Sequence, residues 1–96
     1  MSKHFLASVR FLLPAEGGRS TVAISGIRPH IRLGDVFTSC IVRSLTSDEL
    51  FELGYEYDVN IEIIFWEQYG YLFREDVPIE LYDGNRIIAR GIFKGP

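Results

Sequence analysis

The chain has 96 residues and a mass of 11.0 kDa, which is room for one domain over residues 1–96. Hydrophobic residues make up 47% and charged residues 24%, which excludes a disordered tail or a fibre, and the single cysteine, Cys40, excludes an internal disulfide framework or a zinc ribbon. A net charge of -3 argues against generic polyanion binding through bulk positive charge.

In chain order, Met1 to Phe5 lacks a signal peptide's apolar region, and Phe5 to Leu13 reads as a strand stopped by Pro14. Ala15 to Gly18 is a loop, and Arg19 to Ile24 alternates as a strand. Gly26 and Pro29 predict a bend or bulge before Ile31 and Leu33. Asp35 to Arg43 predicts a strand with Val36, Thr38, Cys40 and Val42 on one face and Phe37, Ser39 and Ile41 on the other. Leu45 to Phe51 reads as one helical turn, with Thr46 or Ser47 as its cap. After a turn at Gly54, Tyr57 to Glu67 gives the clearest period of two, with Tyr57, Val59, Ile61, Ile63 and Phe65 on its apolar face. Leu72 to Arg74 reads as a short strand. Val77 to Tyr82 and Arg86 to Phe93 form a hairpin around Asp83-Gly84-Asn85, where Asp-Gly tolerates positive φ. Six or seven short strands without a long helix predict an all-β barrel or sandwich. No apolar run approaches the roughly 20 residues of a membrane span, so a soluble, cytoplasmic protein without membrane contact is expected.

Charge is divided along the chain. Met1 to Arg43 carries six basic and two acidic residues, a balance of +4, whereas Ser44 to Pro96 carries four basic and eleven acidic, a balance of -7. In a small barrel the two halves interleave, so a mixed surface is the plain expectation and a basic face the sharper one.

Catalytic chemistry finds little support in the residues. His4, His30 and Cys40 have no recognised ligand spacing, so neither a metal nor another cofactor is expected. Cys40 lies mid-strand, where a small buried hydrophobe is the usual role, and the adjacent Glu75-Asp76 reads as a solvated turn. The loop Glu16-Gly17-Gly18-Arg19-Ser20-Thr21 lacks the Gly-Lys-Ser/Thr end of a phosphate loop and no helix follows it, so nucleotide binding is not expected. These readings lead to a non-enzymatic protein. The rings Phe65, Trp66, Tyr69, Tyr71 and Phe73 fall within nine residues. Barrel packing, a protein-contact patch centred on Trp66, Tyr69 and Tyr71, and base stacking are the three readings, in that order.

One stretch carries a family likeness. Glu16-Gly17-Gly18-Arg19-Ser20-Thr21, Gly26-Ile27-Arg28-Pro29-His30-Ile31 and Asp35-Val36 resemble, in order and spacing, the signature of the C-terminal β-barrel domain (domain III) of elongation factor Tu. Val59 to Phe65 is similar to that family's alternating strand, and Phe73 to Phe93 to its closing hairpin. The resemblance implies a six-stranded antiparallel Greek-key barrel that contacts aminoacyl-tRNA, a GTPase domain and an exchange factor. It implies a ligand-facing side that includes Arg19, His30 and Asp83, with Arg28 beside them. His30 stands where the family has glutamine, Ile27 and Ile31 where it has aromatics, and the segment between Ile31 and Asp35 is shorter. The GTPase and middle domains of the family have no counterpart here, so a working elongation factor is not expected. The expected function is a translation-associated module binding a protein or tRNA through Arg19, Arg28 and His30. The alternative is an interaction or immunity-type protein presenting an elongation-factor-like surface to another protein.

Overall fold

In the computed structural model, which describes residues 2–95, inward Phe5, Ala7, Val9 and Phe11 alternate with outward residues along the first strand, β1 (Lys3–Phe11). The same period of two builds β4 (Val36–Ser44) and β6 (Glu56–Ile63), which bury Thr38, Cys40 and Val42, and Val59, Ile61 and Ile63, respectively. With β3 (His30–Leu33), β7 (Ile79–Asp83) and β8 (Arg86–Gly95), these strands close an antiparallel six-stranded barrel in the order β1-β6-β4-β3-β7-β8. A separate two-stranded sheet pairs β2 (Ala23–Ile24) with β5 (Leu50–Phe51). Of the barrel and the sandwich that the alternation allowed, the chain forms the barrel.

Aromatic rings fill both ends of the barrel. At one end, Phe5 stacks on Phe73 at 4.3 Å between centroids and meets Trp66 and Phe93 at 5.4 and 5.6 Å. At the other, Phe11 stacks on Phe51 of the small sheet at 5.2 Å, with Tyr57 edge-on to Phe51 at 5.2 Å. Fully buried Ala23 and Phe51 thus make the β2–β5 sheet a plug for the second end.

Four local expectations are corrected, the first being the short strand over Leu72 to Arg74, where Leu72 ends a 3-10 turn and no strand follows before β7. Leu45 to Phe51 forms no helical turn: Ser44 Oγ accepts the Thr46 N–H at 3.1 Å and Thr46 Oγ1 accepts the Asp48 N–H at 3.2 Å. The residues that favour a cap here satisfy a chain of tight hydroxyl turns leading into β5 instead. The strand expected to reach Glu67 ends at Ile63, and a single helical turn, α1 (Trp66–Tyr69), followed by a 3-10 turn at Gly70–Leu72, replaces its last residues. Phe65, assigned to the core by alternation, is consequently half exposed, while Trp66 packs against the core. The strand expected over Arg19 to Ile24 is confined to its last two residues. The turn between β7 and β8 is Gly84-Asn85, with φ +64° at Gly84 and none of the non-glycine residues at positive φ. That is the hairpin pattern in which glycine occupies the first central position.

Candidate functional surface

The segment before β3 continues along β4 without becoming a full ladder. Gly26 N–H donates to the Val42 carbonyl at 2.7 Å, Val42 N–H to the Ile27 carbonyl at 2.9 Å, and Cys40 N–H to the Pro29 carbonyl at 3.1 Å. Pro29 has no N–H to return the bond, so the bend expected at Gly26 and Pro29 is an irregular extension of β3. Its parity is nonetheless that of a strand. Pro29, Ile31 and Leu33 are buried, and Arg28, His30 and Arg32 stand exposed on the outer side. With about 3.3 Å of rise per residue, these three side chains are spaced roughly 6.6 Å apart along the run.

Their partners differ. Arg32 is tied down by Glu80 at 3.5 Å and by the Gly34 carbonyl at 2.9 Å. Arg43, further along β4, pairs with Glu62 at 2.8 Å, and Lys94 pairs with Asp58 at 3.1 Å. The Arg32 and Arg43 bridges join the basic first half to the acidic second half, as the interleaved strand order requires. Arg28 and His30 have neither a hydrogen bond nor an ion pair among the described residues. Arg19 bonds only the Thr21 carbonyl, at 3.3 Å, and lines a shallow groove of about 280 Å³ with Ile24, Ser25, Gly26 and Ile27. Asp83 follows Tyr82, the register partner of His30. Arg28 and His30 thus share the outer side of the β3 run, whereas Arg19 lies over residues 24–27 and Asp83 at the end of β7.

The aromatic candidates separate. Trp66 is half-buried among Phe5 and Phe73 and carries Lys3 Nζ 5.9 Å from its ring centroid. Tyr71 is 81% exposed. Tyr69, by contrast, shares a shallow groove of about 270 Å³ with His30, Phe37, Phe65 and Gln68. One member of the aromatic set thus stands beside one member of the basic set. Phe37 is the residue that sequence reasoning placed on a strand face without assigning it a role. It is half exposed and edge-on to Tyr82 at 4.9 Å, and a bulky ring at a solvent-facing strand position was the signal that could have marked it.

Reactive chemistry is weak at this surface. The Cys40 thiol is fully buried, its pKa is pushed up to about 12 by desolvation, and it donates a long bond to the Pro29 carbonyl at 3.6 Å. Among the described residues, no group of three or more His, Cys, Asp or Glu side chains is placed to hold a metal ion. No described helix is long and apolar enough to cross a membrane. The three carboxylates whose pKa is lowered, Glu16, Glu62 and Asp76, owe it first to hydrogen bonds from Arg10, Arg43 and Arg74, so they are structural ion pairs rather than poised acids. What the surface offers is two unpaired cationic or polar side chains beside exposed rings, a combination suited to contact rather than reaction. No protein-family model matches the chain, and no curated protein matches it.

Proposed function

We propose that this chain is a non-catalytic, translation-associated binding module that presents the outer side of the β3 run to a protein partner. The observation that carries the reading is the contrast along the outer side of the β3 run: Arg28 and His30 are unpaired, whereas Arg32 is neutralised by Glu80. Arginine and aromatic side chains are enriched in protein interfaces, and Phe37, Tyr69 and Tyr82 stand next to this row. The net charge of -3 favours a local acidic patch on a protein over a long polyanion.

A second reading, contact with the tRNA backbone, draws on Arg19, which follows Gly17 and Gly18 and overlooks Gly26. There a guanidinium can reach a phosphate close to the main chain. The two readings separate by photo-crosslinking in the source cell, with a photoreactive amino acid at position 30 and a control at position 92. A discrete protease-sensitive product from position 30, lost on Arg28→Ala, is the expected result. A nuclease-sensitive product at that position would favour tRNA. Products from position 92 alone would place the functional face elsewhere. The captured protein also separates a translation component from a toxin, the partner expected of an immunity-type protein.

A further inference from the structure

The barrel is closed unevenly. β3 and β7 share only two register pairs, His30 with Tyr82 and Ile31 with Leu81, whereas every other seam has four to eight. Past Ile31 the ladder stops, although Arg32 and Leu33 continue on one side and Glu80 and Ile79 on the other. A cavity of about 400 Å³ lies where the ladder stops. Its inner wall is Ile31, Leu33 and Ile79, which also belong to the barrel core, with Phe93 beside them. Its outer wall is Leu72, Val77 and Pro78, from the segment that connects the 3-10 turn to β7.

We propose that this cavity is a binding site for a free, uncharged, apolar small molecule, distinct from the surface around Arg28 and His30. Size supports this: dry apolar cavities of about 150 Å³ accept a benzene ring, and natural ligand pockets begin near 300 Å³. About 400 Å³ therefore suits a molecule of two or three rings, or an aliphatic chain of similar bulk. The charged groups at the rim decide the ligand's polarity. Arg32 is paired with Glu80 at 3.5 Å and Arg74 with Asp76 at 3.3 Å, so each rim cation already has its counter-charge, and Asp35 adds a negative one. A carboxylate or phosphate entering here would meet the carboxylates of Asp35 and Glu80, while an uncharged ligand leaves both pairs intact. The Arg32–Glu80 bridge also crosses the seam where main-chain pairing has ended. It holds the two strands together over the cavity.

The test uses the intact chain and N-phenyl-1-naphthylamine, an uncharged dye that fluoresces when it leaves water. Saturable one-to-one binding is expected, with amide shift changes in NMR spectra concentrated at Leu33, Ile79 and Phe93. Val77→Trp, at a half-exposed position on the outer wall, fills the mouth and should weaken binding at least tenfold with an unchanged far-ultraviolet circular dichroism spectrum. Ile92→Ser removes an exposed apolar side chain on the outer face of β8 and should leave binding unchanged. Decanol should displace the dye at least tenfold more effectively than decanoate. Absence of saturable binding would overturn the proposal, as would shift changes confined to residues outside the cavity or a loss caused by Ile92→Ser and not by Val77→Trp. Equal potency of decanol and decanoate would overturn the assignment to an uncharged ligand.

Discussion

Phe37 and Tyr82 meet edge to face at 4.9 Å although they belong to β4 and β7, strands that are separated by β3. In register, Phe37 lies opposite Arg32 and Tyr82 opposite His30, so the ring contact bridges across the strand that carries the unpaired His30. Tyr82 also donates its hydroxyl to Glu80 Oε1 at 3.3 Å, and Glu80 in turn holds Arg32. The outer surface of β3 is therefore braced from both sides by side chains.

Phe37→Ala and Tyr82→Ala should each destabilise the fold modestly, and the double-mutant cycle should return a coupling of about 1 kcal/mol, the usual worth of an aromatic pair beyond its area. Urea denaturation of the four proteins measures it. If the ring pair also forms part of the contact surface, Phe37→Ala should reduce partner affinity by more than it reduces stability. A coupling near zero would mean that the rings pack side by side without holding β3.

Two glycines give opposite reasons for intolerance. A Cβ on Gly91, between Val9 on β1 and Ile79 on β7, would overlap the Ser8 carbonyl oxygen and come within 2.8 Å of Val9 Cγ1. Gly91→Ala must push two strands apart, and a loss of about 3 kcal/mol is expected from such overpacking. Gly84 has open space around it but a φ of +64°. Gly84→Ala should cost only about 1 kcal/mol, the strain of an L-residue in that region. Equal losses in denaturant midpoints for the two variants would contradict this account.

Cys40 should be inert in the folded protein. With no exposed surface and a pKa pushed to about 12, it presents almost no thiolate at neutral pH. Ellman's reagent at pH 8 should react only as fast as the barrel opens, and stoichiometrically in guanidinium chloride. Rapid labelling of the native state would refute the buried placement.

Acid should weaken the fold through its ion-paired carboxylates. Hydrogen bonding by Arg10 and by the Leu13 N–H holds Glu16 below its ordinary 4.5, and Arg43 then Ser2 do the same for Glu62. A depressed folded-state pKa means that the stabilisation is fully present above about pH 4.5 and is lost as pH falls through the lower, folded-state value. Glu16→Gln should lower the melting temperature at pH 7 and flatten its decline below pH 4.5. An unchanged acid limb in Glu16→Gln would show that the pair with Arg10 contributes nothing.

Much of the barrel was legible because its strands carry a strict period of two. Val59, Ile61 and Ile63 declare one buried face, and Gly84 declares a tight hairpin. The departures occur where alternation and chain path part company. Phe65 keeps the parity of β6, but the chain leaves the sheet after Ile63, so parity no longer reports direction. A single helical turn such as Trp66–Tyr69 is too short to show a helical period, and Thr46 and Asp48 form the same hydroxyl bonds in a turn as at a helix cap. The surface row was half visible: the resemblance singled out Arg28 and His30, but their lack of partners depends on where Glu62 and Glu80 arrive in space. The seam cavity was not visible at all. Its walls come from Ile31, Leu72, Val77 and Phe93, which only the register of β3 against β7 and β8 brings together.

The pairing of β1 with both β6 and β8 has a consequence for how this chain is made. β1 leaves the ribosome ahead of β2 to β7 and must keep Phe5, Ala7, Val9 and Phe11 unpartnered until those strands have followed. Its second neighbour, β8, is synthesised after all of them. Closure is therefore a late event in synthesis, and its long loops place it among the slower-folding small topologies. During that interval a nine-residue strand with an apolar face is open to a chaperone.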